Sequence, residues 1–185
     1  MNTACAALAG ALVALAACKS ATGGPTVSTL KSDGYVSGSV SFQGGFVTGD
    51  AGATVLGPAS SAYTLKSVLF LYGGAAAIDS ITLTVYADAG NDTPGSVLYS
   101  HDYLSTASDA AFQQIDLTAQ HIAVDAGHSI RVAVFFKHNG LPSLPLDGDG
   151  IVQGKSYIYT GGSWIKNATA GVNDDWVIRA EIVTP

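Results

Sequence analysis

The residues whose types and spacing could do chemistry fall in three places. The first is a hairpin, Tyr157-Ile158-Tyr159-Thr160, then Gly161-Gly162, then Ser163-Trp164-Ile165-Lys166. A Gly-Gly pair between two alternating runs suits a two-residue type I′ turn, which needs positive φ at both central positions. That register sets Tyr159 opposite Trp164 and Tyr157 opposite Lys166. If both isoleucines face a core, Tyr157, Tyr159 and Trp164 share the opposite face, where flat rings could stack on the C–H face of a sugar. With the register inverted the rings are buried instead, and cross-strand aromatic pairs stabilise hairpins by about 0.2–1 kcal/mol with no ligand at all.

The second place is Asp147-Gly148-Asp149-Gly150, with Asp174-Asp175 further on. These are hard oxygen ligands of the kind calcium takes, but calcium wants six to eight oxygens. Two carboxylates in one loop fall short, and Asp-Gly pairs also make plain turns. Asp174 would have to fold back to supply a third. Asp88, Asn91 and Asp92 form a similar oxygen-rich loop. No other cofactor is expected.

The third place is negative. His101 and Asp102 are adjacent, so on a strand they point to opposite faces and form no dyad. His121, His128 and His138 lack zinc-ligand spacing, and no serine sits in a Gly-x-Ser-x-Gly elbow. Glu181 is the single glutamate, which removes a paired-glutamate glycosidase. Gly154-Lys155-Ser156 lacks the glycine five positions upstream and precedes a strand, so it is no phosphate loop. No catalytic residue is assigned, and an enzyme is not expected.

The elements that must position these groups are short. Asp and Gly are abundant, Glu is nearly absent, and Thr, Val and Tyr recur between turn pairs, a balance that favours strands over helices. Ile81, Leu83 and Val85 alternate with Thr82, Thr84 and Tyr86. Ile130, Val132, Val134 and Phe136 alternate with Arg131 and Lys137 pointing outward. Strands are expected at 36–42, 63–72, 78–88, 97–104, 112–117, 122–124, 129–137, 157–160, 163–166 and 176–183, with a loop over 139–150. Such spacing predicts an all-β, antiparallel two-sheet sandwich of jelly-roll type.

The opening residues have a different character. Residues 6–17 are apolar but shorter than the roughly 20 a membrane-spanning helix requires, and they close on Leu15-Ala16-Ala17-Cys18. This junction resembles the lipobox of bacterial lipoproteins. The resemblance implies cleavage after Ala17, lipid attachment at Cys18 and, with Lys19 following, an outer-membrane address in a bacterial cell envelope. It departs from the pattern in having no Lys or Arg before the apolar run, which an upstream start would supply. The expected organisation is a signal peptide over 1–17, a lipidated N-terminus and flexible tether over 18–34, and a sandwich domain over 35–185. Of the two cysteines, Cys5 would leave with the leader and Cys18 would be consumed by lipid, so the sandwich would rely on its core alone.

The body resembles β-sandwich domains of bacterial cell-surface proteins, many of unassigned function and some similar to carbohydrate-binding modules. The matching pieces are Val85-Tyr86-Ala87-Asp88, the Asn91 to Pro94-Gly95 loop, Val97-Leu98-Tyr99, Ala126-Gly127, and Trp176 with Arg179-Ala180. With a net charge of −6 and eight scattered basic residues, nucleic acid is excluded as a partner. The expected partners are the membrane, through lipid at Cys18, and either a polysaccharide or an envelope protein. A binding role, a structural role in the envelope, and hydrolysis of an envelope polymer follow in that order.

Overall fold

The computed structural model describes residues 24–38, 40–149 and 153–185. The leader, Cys18 and its lipobox lie outside them. Thirteen strands run in chain order: β1 (Thr26–Lys31), β2 (Ser41–Phe42), β3 (Ala51–Leu56), β4 (Tyr63–Tyr72), β5 (Ile78–Asp88), β6 (Pro94–Thr106), β7 (Ser108–Asp116), β8 (Ala123–Val124), β9 (Ile130–Phe136), β10 (Pro145–Leu146), β11 (Ser156–Thr160), β12 (Ser163–Lys166) and β13 (Ile178–Thr184). One sheet has the order β1-β13-β4-β7, with β8 also on β4. The second has the order β12-β11-β3-β9-β5-β6, and β10 and β2 form a two-residue ladder. Every pairing is antiparallel. The expected antiparallel sandwich is the observed fold.

The core lies between the sheets and is built by alternation along β5 and β9, with a bulge in the β4–β13 pairing shifting the inward residues of β4. Ile130, Val132, Val134 and Phe136 of β9 meet Ile81, Leu83 and Val85 of β5, and face Leu65, Val68 and Phe70 of β4. Each such fully buried side chain contributes about 1.5–3 kcal/mol. Trp176, with no exposed surface, plugs the end of the sandwich near Phe46, at a centroid distance of 5.9 Å. Gly52 of β3 passes beneath it. A Cβ there would sit 2.6 Å from Leu144 Cδ1 and 3.3 Å from Trp176 Cε2, so only glycine lets the strand approach the ring.

Four readings of the sequence are corrected. Residues 26–31, read as tether, are the edge strand β1, paired in register with β13 from Thr26↔Thr184 to Lys31↔Arg179. Its polar sequence gives no burial signal, because backbone hydrogen bonds to a neighbouring edge recruit it. Asp33 then pairs with Arg179, whose guanidinium also donates to the Tyr35 carbonyl. The folded domain therefore begins before residue 35. The strand expected over 36–42 shrinks to Ser41–Phe42, and the loop over 139–150 holds β10. Finally, Ala51–Leu56 is a strand that sequence reading passed over. All six of its residues are buried, so it carries no polar alternation.

Candidate functional site

The outer face of the six-stranded sheet is where the sequence-singled rings belong. The hairpin has the expected register, with Tyr159↔Trp164, Ile158↔Ile165 and Tyr157↔Lys166, and φ of 57° and 81° at Gly161 and Gly162. Ile158 packs on the core, so the rings do face outward. Pairings then continue across the whole sheet. One row reads Trp164, Tyr159, Ala51, Phe135, Thr82, Asp102, and the next reads Lys166, Tyr157, Ala53, Ala133, Thr84, Ser100.

The first half of this face is a small aromatic cluster. The Trp164 ring lies 5.1 Å from Tyr159, 6.1 Å from Phe135 and 6.3 Å from Tyr86, centroid to centroid. It reaches that far because Ala53 and Ala133 are small and let the rings close over the strands between. Tyr157 is only 5% exposed. The guanidinium carbon of Arg131 lies 4.0 Å from its ring centroid, a cation–π contact strengthened by removal from water. Tyr157 is therefore dry and unavailable to a ligand, while Tyr159 and Trp164 are half-buried against their neighbours. The face assignment made from sequence was right, but the three rings form a wall rather than an open platform.

Arg131 carries the loop behind that wall. It is fully buried and donates to Asp88 Oδ1 at 2.9 Å, to the Asn91 carbonyl at 2.8 Å and to the Asp92 carbonyl at 3.0 Å. Lys166 pairs with Asp92 at 2.9 Å. The Asp88 and Asp92 carboxylates are thus engaged by cations of the chain, which accounts for that oxygen-rich loop without a metal.

The second half of the face is open. A trough of about 660 Å³ runs along β9, β5 and β6, lined by Phe135, Tyr86, Thr82, Thr84, Ser100 and Lys137, with Thr48 and Gly49 as one wall. This volume lies within the range of small-ligand sites. Thr84 and Ser100 hydroxyls are 3.0 Å apart, and Thr82 Oγ1 donates to Asp102 Oδ1 at 2.7 Å. Asp102 also pairs with Lys137. The Lys137 hydrogen bond, then that of Thr82, holds the Asp102 carboxyl below the usual carboxylate range. Each hydroxyl keeps acceptor capacity after these bonds. The arrangement offers two ring surfaces beside a hydroxyl floor. Sequence reading placed Thr82, Thr84 and Tyr86 on one face but gave no sign that Phe135 would join them, since that follows from strand order.

A separate site forms where three loops meet. Carboxylate oxygens of Asp147, Asp149 and Asp174 lie within 4.8 Å of one another. The backbone brings them together: Asp147 N–H donates to the Asp175 carbonyl at 3.0 Å, and Leu146 bridges Trp176. Asp147 accepts from Gly34 N–H at 2.7 Å and from Asp175 N–H at 3.1 Å. A Cβ on Gly34 would fall 2.1 Å from Asp149 Oδ2, so a side chain there would displace the Asp149 carboxylate from the cluster. Asp175 behind them has no exposed surface; Oδ2 accepts from Gln153 N–H at 2.8 Å, the Ser156 hydroxyl also supports the carboxyl, and Oδ1 has no partner within hydrogen-bond distance among the described residues. Burial pushes the Asp147 and Asp175 carboxyls up, backbone donors oppose this, and the neighbouring carboxylates raise both further. All the donors are hard oxygens, the set that calcium or magnesium takes.

Asp102 lies on the outer face, whereas His101 packs between Tyr99 and Tyr103 on the other side of β6. His138 lies 2.6 Å from the buried Tyr72 hydroxyl through Nε2.

Fold and site together define an antiparallel β-sandwich with a ring-walled trough on one sheet and a carboxylate cluster at one side. No protein-family model and no curated protein matches the chain. Among solved structures it is similar to the cysteine protease and lectin-like domains of Cwp84, a surface layer associated protein of Clostridium difficile. The TM-score is 0.55 and the identity 18%, over 75% of this chain and 33% of that one. It is also similar to the clostridial cysteine protease Cwp84 after propeptide cleavage, with TM-score 0.54 and identity 17%, over 76% of this chain and 37% of that one. The chain thus matches about a third of the length of those proteins, and at this identity the likeness establishes a shared fold.

Proposed function

We propose that this chain is a non-catalytic binding module of a bacterial cell surface, tied to the outer membrane by lipid on Cys18, and that its ligand is a polysaccharide. The observation that carries the reading is the trough, where Phe135 and Tyr86 stand beside Thr82, Thr84 and Ser100. Sugars present apolar C–H faces and hydroxyl edges, and such a site matches both. The shared fold with a surface-layer protein that has a lectin-like domain is in keeping with this, as analogy of fold only.

Phe135→Ala is expected to weaken glycan binding at least about tenfold, because interface energy concentrates in a few ring contacts. Binding would be measured by calorimetry with the best hit from a glycan array. Unchanged affinity would remove the trough from the account. Mass spectrometry of the native polypeptide tests the anchor: an unprocessed amino end or a free Cys18 thiol would abolish it.

The carboxylate cluster supports a bound calcium ion in the same module. Asp147, Asp149 and Asp174 would supply three ligands, and the buried Asp175 behind them adds a fourth carboxyl to the same neighbourhood. Backbone carbonyls and water would complete the shell. Calcium added to chelator-treated protein is expected to raise the melting temperature by several degrees. A hundredfold excess over Kd corresponds to about 2.7 kcal/mol. Asp149→Asn with Asp174→Asn should erase that shift, and no shift in the unaltered protein would dismiss the ion.

A second reading, as a structural subunit of the envelope, is favoured by β6. It is a thirteen-residue edge strand whose neighbourhood exposes Val97, Leu104 and, on β5, Ile78. Long apolar edges invite pairing with another chain. Crosslinking in intact membranes would recover one stoichiometric partner if this role holds.

A further inference from the structure

Resting on the reading of the trough as a glycan site, we infer that it selects uncharged glycans, and that the Lys137–Asp102 pair sets this selection. Lys137 is the one charged side chain among the described residues lining the trough. Its ammonium is already matched by Asp102, which is anchored a second time by the Thr82 hydroxyl. The remaining polar groups are the neutral hydroxyls of Thr82, Thr84 and Ser100: Thr82, its proton given to Asp102, can only accept, while the Thr84–Ser100 pair keeps one donor and further acceptor capacity.

A uronate, sialate or phosphate group entering here would have to share Lys137 with Asp102 or take it from that carboxylate. Either would leave the Asp102 carboxylate beside a second negative charge, and like-charge juxtaposition is how binding sites reject a wrong partner. The Thr82 hydroxyl would still donate to the Asp102 carboxylate and favour its ionised form. The net charge of −6 also repels an acidic polymer at long range. An uncharged sugar makes no such demand on Lys137. Its hydroxyls meet the Thr and Ser floor, and its C–H face meets Phe135 and Tyr86.

The test is a glycan array in which neutral hexose and N-acetylhexosamine oligomers are paired with their sialylated, uronate-containing and phosphorylated counterparts, followed by calorimetry. The unaltered protein is expected to favour the neutral member of each pair by about tenfold or more at low salt, a preference that narrows as salt screens the repulsion while binding of the neutral member itself changes little. Asp102→Asn keeps the size of the side chain and a hydrogen-bond acceptor for Thr82 but frees Lys137, so the acidic-to-neutral ratio should rise about tenfold. Adding Lys137→Met to Asp102→Asn should cancel that rise. The pair is exposed and worth little to stability, so melting temperatures should confirm that these variants fold. A preference of the unaltered protein for acidic members would overturn the inference while leaving the glycan site standing. An unchanged ratio in Asp102→Asn would remove the pair from it. Binding to no member, or binding insensitive to Phe135→Ala, would overturn the trough reading itself.

Discussion

Arg131→Ala is expected to lower the unfolding free energy by about 3–5 kcal/mol, the cost of breaking a buried ion pair from one side. Denaturant titration reads that loss directly, and in thermal unfolding of a domain this size it is a fall in melting temperature of roughly 6–20 °C. The guanidinium has no exposed surface. Its removal strands Asp88 Oδ1, whose side chain is only 10% exposed, and leaves two carbonyls of the 91–92 segment without donors. It also takes the cation from the Tyr157 ring. Replacing both partners, Arg131→Met with Asp88→Leu, should recover part of the loss, since no lone buried carboxylate then remains. A single-variant loss below about 1 kcal/mol would show that the loop is held by something else.

Trp176→Ala should cost a similar 3–5 kcal/mol for a different reason, the cavity left by a fully buried indole. The ring has no exposed surface, and its Nε1–H donates to the Tyr157 carbonyl at 2.9 Å. Trp176→Phe separates the two contributions. It keeps most of the apolar volume but removes one hydrogen bond to that carbonyl, which stays in the ladder with Ala53 of β3, for an expected loss of about 0.5–1.5 kcal/mol. Because Tyr157 belongs to the outer aromatic wall, its carbonyl links core and outer face. Fluorescence of Trp164 should therefore shift in Trp176→Ala even in the folded state. A folded variant with an unaltered Trp164 spectrum would uncouple the two faces.

Both residues illustrate how far local pattern carries. Arg131 was legible as outward-facing from the alternation of β9, yet its burial was not, because the groups that cover it come from β11, β12 and the loop after β5. Trp176 read as the start of a strand, whereas it is a plug preceding β13. The Asp147, Asp149 and Asp174 cluster was visible only as two loops rich in aspartate. Their convergence depends on the Leu146–Trp176 bridge, a contact between segments with no shared local signal.

Period-two alternation and turn chemistry act over a few residues, so the sandwich class, the inner faces of β5 and β9 and the Gly161-Gly162 hairpin were written in the chain order. Strand neighbours act across it. Whether Thr26–Lys31 is tether or strand, whether Ala51–Leu56 pairs at all, and whether Tyr157 is wet or dry turn on which strands lie alongside. The open trough beside Phe135 arises in the same way. That choice belongs to the summed burial and hydrogen bonding of the assembled sheets, because no short segment can bury a face or satisfy an edge by itself.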